Sequence, residues 1–395
     1  GEFIHTDQDL KGFLNLKGLT HLKLSISLLS SGKNALPLKT LVGMENCSEL
    51  QELSIDGCAK LIDVEGINGC QKLKSIELSE AKRLENLNGL KGLKSLKTIN
   101  INDAEALDNL DGLKGCDSLE EIKIDGSNYS GNKKIKQPIK NVDGLIGLKK
   151  LKDLNLSSFN SLKNVDGLKG CSDLSYLNIS SDSLENINGL KNLKALRSIH
   201  LDTVKLNNID GLSGCENLDD FNIQSKDIKN LNGLKGCDKL QELNIPSSAK
   251  SLNLDGLASM NSLRVVNFRD CEIKSFDFTQ KIPPITYADI KSSNQIKSLE
   301  GIGNLINLEK IIIKDCTNLE NLKGIENIKT LESVIIQDCK SLKDVKALLS
   351  LPKLKVFKMR SCGIKKEELP GHLKVIVETT ISHMDEDSYS FRDKK

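Results

Sequence analysis

Tryptophan is missing from this chain altogether, and all aromatic residues together make up 3% of its 395 residues. A core built on large rings is therefore excluded, and apolar packing must come from aliphatics. Hydrophobic residues amount to 38%, carried largely by Leu and Ile with Lys, Asn, Asp and Gly between them. Net charge is nearly absent as well. A formal +2 with 28% charged residues gives no bulk field directed at nucleic acid or acidic lipid. No apolar run approaches the roughly 20 residues needed to cross a bilayer. The chain starts Gly1-Glu2-Phe3 without Met, which reads as a cloning remnant and leaves open a leader or cap ahead of it.

Repetition is what the chain has in abundance. The last apolar residue of each L-x-x-L-x-L-like segment falls at Leu24, Ile55, Leu78, Ile101, Ile124, Leu156, Ile179, Leu201, Ile223, Ile245, Phe268, Ile290, Ile313, Ile336 and Met359. That makes about fifteen units, nearly all 22 or 23 residues apart. Two steps are longer, 31 from Leu24 to Ile55 and 32 from Ile124 to Leu156. Within a unit, Leu151-Lys-Asp-Leu154-Asn-Leu156 alternates as a short strand does, with its Leu residues inward. The preceding Val142-Asp-Gly144-Leu145 returns the chain along the opposite side, with Gly at a bend that other residues avoid. About six or seven inward aliphatics at roughly 1.5–3 kcal/mol each cannot outweigh one unit's ordering entropy. A stack of units can.

On this period and on the h-x-G-L-x-x-L segment, the chain resembles the leucine-rich-repeat family of 22/23-residue type over about residues 14–377. It is most similar to the internalins and to the leucine-rich regulatory subunit of protein phosphatase 1. The resemblance implies an α/β solenoid, a curved right-handed superhelix with a parallel sheet on the concave face and turns or short 3₁₀ segments on the convex face. It also implies partner binding by the concave surface. The expected organisation is a tag remnant and lead-in at 1–13, a single solenoid at 14–377 with an irregular repeat near 271–292, and a charged tail at 378–395. One departure stands out. The family's Asn ladder, three residues after the strand's last aliphatic, is mostly replaced, by Cys58, Ala81, Ala104, Ser127, Phe159, Asp182, Cys271, Cys316, Cys339 and Cys362. The hydrogen bonds that those Asn side chains would supply must come from elsewhere.

The eleven cysteines fall into two columns. Five occupy the ladder position. Cys47, Cys70, Cys116, Cys171, Cys215 and Cys237 follow the Gly-Leu segment, where other repeats carry Leu93, Leu148, Leu193, Leu305 or Ile328. A residue exchangeable with Leu is a core residue, and free Cys packs as a small hydrophobe. Disulfides between neighbouring rungs, a zinc site and a reactive thiol are the alternatives. Zinc needs four ligands converging on a point, whereas a ladder sets them along a line. The expectation is therefore no metal and no cofactor. An odd number of unpaired thiols leans toward a reducing, cytoplasmic setting, with a secreted or cell-surface location as the alternative. The sequons at Asn46, Asn128, Asn155 and Asn178 are near what such a composition yields by chance.

The residues between the inward aliphatics face out of the concave sheet and supply the candidate sites. Along the central column the first two-thirds are amide-rich, with acidic flanks, and the last third is basic. A polar ladder for a peptide or glycan is read at Asn155, Asn178, His200, Asn222, Asn244 and Asn267, with Tyr176 beside it. A second site is read as an exposed apolar anchor, Ile312, Ile335 and Val356, ringed by Lys314, Arg269, Lys358 and Arg360. Charge rimming an apolar patch marks interfaces, against the alternatives that β-branched residues strengthen strands or that a C-terminal cap covers them. The longer inserts should protrude along one rim, the second carrying Tyr129, Lys133, Lys134 and Lys136. His200 with Asp202, Asp220 and Tyr176 does not amount to catalysis, because no Ser or Cys nucleophile pattern and no metal spacing accompanies it. The reading is a non-enzymatic scaffold holding a protein partner on its concave face, without nucleic acid or membrane insertion. The alternatives are an adhesion or recognition module of a microbe or parasite, and the targeting region of a larger effector.

Overall fold

The computed structural model describes residues 16–25, 36–126, 138–225, 227–245, 254–271 and 283–364, together with Leu10, Leu252, Phe276, Leu369 and the pair Val375–Ile376. Its strands are β1 (His21–Leu24), β2 (Glu52–Ile55), β3 (Ser75–Leu78), β4 (Thr98–Ile101), β5 (Glu121–Asp125), β6 (Asp153–Ser157), β7 (Tyr176–Ser181) and β8 (Ser198–Thr203). They continue as β9 (Asp220–Gln224), β10 (Glu242–Ile245), β11 (Val265–Arg269), β12 (Tyr287–Lys291), β13 (Lys310–Lys314), β14 (Ser333–Gln337), β15 (Val356–Arg360) and β16 (Val375–Ile376). Apart from β9 and β10, each pairs in parallel with its neighbours in chain order, in the register of the repeat, so that Asn155 lies opposite Asn178 and Ile312 opposite Ile335. This is the open solenoid that the period implies. A single aliphatic core runs through it from Leu10 to Ile364.

Return segments form 3₁₀ turns such as Asp111–Leu113 and Asp166–Leu168. Their start is fixed by an Asn two residues earlier. Asn86, Asn109, Asn141, Asn164, Asn186, Asn208 and Asn230 each accept the backbone N–H two positions on, at 2.9–3.3 Å. Such Asx turns satisfy donors that a short helix leaves open. The glycine of the Gly-Leu pair is needed for closeness more than for an unusual backbone angle. A Cβ on Gly112 would strike the Leu87 carbonyl of the preceding rung. The left-handed bend comes three residues later, at Gly115 (φ 80°).

The missing Asn ladder is replaced in two ways, and the two explain the mixed period. Where the next step is 23 residues, the second residue after the strand's last aliphatic mostly takes a left-handed conformation: Gly57, Glu80, Asp103, Ser158, Ser292, Asp315 and Asp338. A backbone N–H at this turn or just after it then reaches the next rung, as in Ala81 to Asn102 and Asp315 to Gln337. In the three steps of 22 residues that start at Ile179, Leu201 and Ile223, that position holds Ser181, Thr203 and Ser225, all buried. Their hydroxyls donate to the carbonyls of Leu162, Leu184 and Leu206 at 2.8, 3.3 and 2.7 Å. The step from Phe268 to Ile290 is also 22 residues but has left-handed Asp270. It contains Pro283-Pro284, and no 3₁₀ turn lies among the described residues between Ser259 and Ile302.

That irregularity near 271–292 does not interrupt the strand ladder, which runs through β11, β12 and β13. The ladder breaks earlier, between β9 and β10, dividing the strands into a nine-stranded and a seven-stranded sheet. We call these the N-terminal and C-terminal arms.

Candidate binding face

Pleating sends alternate strand residues out of the concave face, and the parallel register stacks them into columns whose successive rungs are about 4.8 Å apart. In the N-terminal arm the central column reads Ser54, Glu77, Asn100, Lys123, Asn155, Asn178, His200 and Asn222. Several of these side chains hold one another. Ser54 donates to Glu77 at 3.2 Å and Asn178 to the Asn155 carbonyl oxygen at 3.2 Å. Lys123 is paired with Glu121 at 2.5 Å, and the hydrogen bond it donates to that carboxylate raises its pKa. Asn155, Asn178, His200 and Tyr176 are half-buried, whereas Asn222 and Asn244 are exposed.

The column on the strands' first residues runs Glu121, Asp153, Tyr176, Ser198 and Asp220. It converges with the central column at His200. The Tyr176 and His200 rings lie 5.9 Å apart and tilted by 39°. Ser198 Oγ donates to Asp220 Oδ2 at 2.9 Å and sits 3.3 Å from His200 Nδ1, while His200 Nε2 is 3.7 Å from the same carboxylate oxygen. Ser198 is the member that sequence reasoning missed. Its register opposite Asp220, two residues before His200, was the available signal. The geometry is unsuited to nucleophilic attack, because the hydroxyl proton is directed at the carboxylate and not at the imidazole. What the group offers is a fixed carboxylate and a ring face.

The C-terminal arm departs from expectation. Ile312 is not an exposed anchor: it is 5% accessible, and its central-column neighbours Asn267 and Asp289 are 4% and 7% accessible. Ile335 is half-buried, and only Val356, at 37%, is open. Ile312 stands between Asp289 and Ile335 on adjoining rungs, and the side chains around this stretch are engaged with one another. Arg269 reaches Asp289 Oδ2 at 3.1 Å, and Lys310 lies 5.6 Å above the Tyr287 ring. Asn267 donates to Glu242 and Asn244 at 2.8 and 2.9 Å. A β-branched column packed this closely leaves little room for water between rungs. Asn267 therefore belongs to the closed stretch and not to the open polar ladder. Lys314, Lys358 and Arg360 are half-buried, and Arg360 pairs with Asp338 at 3.7 Å. The rim residues Tyr129, Lys133, Lys134 and Lys136 lie outside the described residues, as does most of the first insertion.

The thiols line the structure inside. None of the eleven forms a disulfide, and all but half-buried Cys362 are buried. Burial pushes Cys58, Cys70, Cys237 and Cys271 up to about 12, and Cys171, Cys215 and Cys362 up to about 11. A hydrogen bond with Cys316, followed by burial, pushes Cys339 up as well. The column that alternates with Leu also bridges rungs. Cys70, Cys116, Cys171 and Cys215 donate to the carbonyls of Met44, Leu90, Leu145 and Leu190 at 3.1–3.5 Å. Among the described residues no group of three or more His, Cys, Asp or Glu side chains could hold a metal ion, and no helix is long and apolar enough to cross a membrane.

A family model agrees with this architecture. The family described as the BspA type leucine rich repeat region matches residues 42–166, 149–264 and 261–385, in six copies. Among solved structures, an internalin of Listeria monocytogenes is similar at 18% identity, with 81% of this chain and 87% of that one covered and a TM-score of 0.45. A leucine-rich-repeat protein of Leptospira interrogans is similar at 16% identity over 92% and 95% of the two chains, with a TM-score of 0.49. The functional domain of Listeria monocytogenes InlJ, described as including a cysteine ladder, is 14% identical over 82% and 63%, with a TM-score of 0.39. No curated protein sequence matches the chain.

Proposed function

This chain belongs to the leucine-rich-repeat proteins of the BspA type, and on that basis we infer that it is a non-catalytic binding module holding a protein partner on the concave face of its N-terminal arm. One observation carries the reading: the polar central column stays accessible in this arm from Lys123 to Asn222, and one rung beyond at Asn244, and closes from Asn267 to Ile312. A run of accessible, mutually oriented amides, carboxylates and rings over several rungs suits an extended surface made of many modest contacts. The Ser198–His200–Asp220 arrangement supports a binding role over a catalytic one, since its hydroxyl is committed to the carboxylate. The residue of the apolar C-terminal reading is Val356 with half-buried Ile335, Lys358 and Arg360, a small patch at the far end of the same face.

The thiols give no reason to prefer a cytoplasmic location. Burial by itself protects most of them in any compartment, so the absence of disulfides does not report on redox surroundings.

The test is capture of partners from native extract by the full chain, beside Asn178→Trp and Val356→Asp variants of unchanged circular dichroism. A protein held by wild type and lost only with Asn178→Trp supports the N-terminal face. Loss only with Val356→Asp moves the site to the C-terminal patch, and retention by both variants removes the concave face from the reading.

A further inference from the structure

The two tyrosines of the first-residue column occupy equivalent places in the two arms. Tyr287 begins β12 and is followed on the next rung by Lys310, whose ammonium lies 5.6 Å above its ring. Tyr176 begins β7 and is followed on the next rung by Ser198, too short to reach over the ring. The rungs around it bring negative charge instead. Asp153 lies on the rung before, Asp220 on the second rung after, and Asp220 is held in place by Ser198. Lys123, the cation of the neighbouring column, is engaged by Glu121. The repeat thus builds the same aromatic seat twice. It sets its own cation over the ring in the C-terminal arm, and in the N-terminal arm places a carboxylate on either side of the seat with the His200 ring beside it. Ring faces attract ammonium and guanidinium groups, and flanking carboxylates add both attraction and orientation.

Resting on the reading of the N-terminal arm as the partner face, we propose that this face seats a lysine or arginine side chain of an extended, basic polypeptide segment on the Tyr176 ring, between the carboxylates of Asp153 and Asp220. The amides of Asn155 and Asn178, one column over, are placed to hydrogen-bond the same segment. Alternation along the segment would match the columns, since an extended chain also presents every second side chain to one side.

The probe is a short fluorescein-labelled peptide alternating Lys and Ser, titrated into the full chain by anisotropy, beside a Glu-Ser peptide of equal length. The expected result is salt-sensitive binding of the lysine peptide alone. Tyr176→Ala should weaken it about fivefold, Tyr176→Phe should hold within about twofold because the ring face remains, and Asp153→Asn with Asp220→Asn should weaken it about tenfold. Glu300→Gln, in a return segment and paired with Lys323, should leave it unchanged. Each variant is first checked for an unaltered circular dichroism spectrum. Equal binding by all variants, or equal binding of the Glu-Ser peptide, overturns the proposal. So does a dimer in sedimentation that Tyr176→Ala disperses, since the occupant would then be the folded basic arm of a second copy. If Asn178→Trp abolishes partner capture while the lysine peptide fails to bind wild type, the partner chemistry is wrong and the face stands. If Asn178→Trp leaves capture intact, the face itself falls.

Discussion

Ser181, Thr203 and Ser225 carry the N-terminal arm out of its last strands on buried hydroxyls, whereas Asp270, Ser292, Asp315, Asp338 and Ser361 carry the C-terminal arm out of its strands in left-handed turns. After those turns come Cys271, Ser293, Cys316, Cys339 and Cys362, whose side chains donate back to strand carbonyls at 3.3–3.4 Å. Both devices do the work of an Asn ladder, but the first relies on strong hydroxyl donors and the second on a backbone bend followed by weak thiol donors, with the Ser293 hydroxyl at one turn. The arms differ in the same way on their outer faces. The N-terminal arm leaves its central column polar and accessible, and the C-terminal arm packs its own shut from Asn267 to Ile312. Identical architecture therefore permits two surface economies, set by which side chains fill the outward columns.

The largest expected effect breaks the surface half of this comparison. Ile312→Asp and Asn178→Asp place the same charge at the same register position in the two arms. In the closed C-terminal column the charge is buried without a donor, and unfolding should be easier by about 3 kcal/mol or more. In the open N-terminal column the change should stay within about 0.5 kcal/mol. Denaturant titration of the two variants decides this, and equal losses would show that the columns do not differ in closure.

Truncating the ladders should give intermediate effects. Ser225→Ala and Thr203→Val each leave a buried carbonyl without its donor and should cost about 1–2 kcal/mol. Cys339→Ala removes a weaker donor and should cost less, most of it lost packing. A thiol variant as damaging as a hydroxyl variant would erase the distinction between the two devices.

Alkaline pH sharpens the comparison differently. Cys58, Cys70, Cys171, Cys215, Cys237, Cys271 and Cys362 have folded pKa values above the ordinary 9.0, so the unfolded chain releases those protons first, whereas Cys316, hydrogen-bonded to Cys339, is lowered and runs against them. Stability is fully present below pH 9 and is lost as the pH rises toward about 11 to 12. The melting temperature should fall over that window, and cysteine alkylation during the fall should reach Cys362, half-buried at the end of the C-terminal arm, before Cys171 and Cys215 within the N-terminal stack. The smallest expected effect is from Lys355→Met. Its ion pair with Glu332 joins two exposed side chains, and its loss should not move the melting temperature measurably in either arm's background.

Much of this was legible in the chain itself. A reiterated Leu and Ile pattern with a Gly-Leu return has one way to bury its aliphatics, so strand positions, parallel stacking and the buried thiol columns follow from period and exchangeability with Leu. The ladder position could be found as well, but not what replaced it. Ser181, Thr203 and Ser225 lie one residue earlier than the expected Asn, and only the pairing distances reveal them as its substitutes. Ser198 was passed over for a related reason, since its meaning depends on Asp220 opposite it on the next strand.

The sequence by itself determined the fold, because a periodic hydrophobic pattern specifies which face of every unit is inside, and neighbour-to-neighbour stacking leaves little else to decide. Only the tertiary structure decided which outward residues remain outside. Ile312 and Asn178 occupy the same register position and differ in accessibility because accessibility depends on what adjoining rungs and flanking side chains place beside them. It also decided that Tyr176 and Tyr287, alike in sequence position, differ in charge environment. One has Lys310 over its ring and the other has Ser198 on the next rung, the His200 ring beside it and carboxylates on the flanking rungs, and that contrast arises between strands more than twenty residues apart.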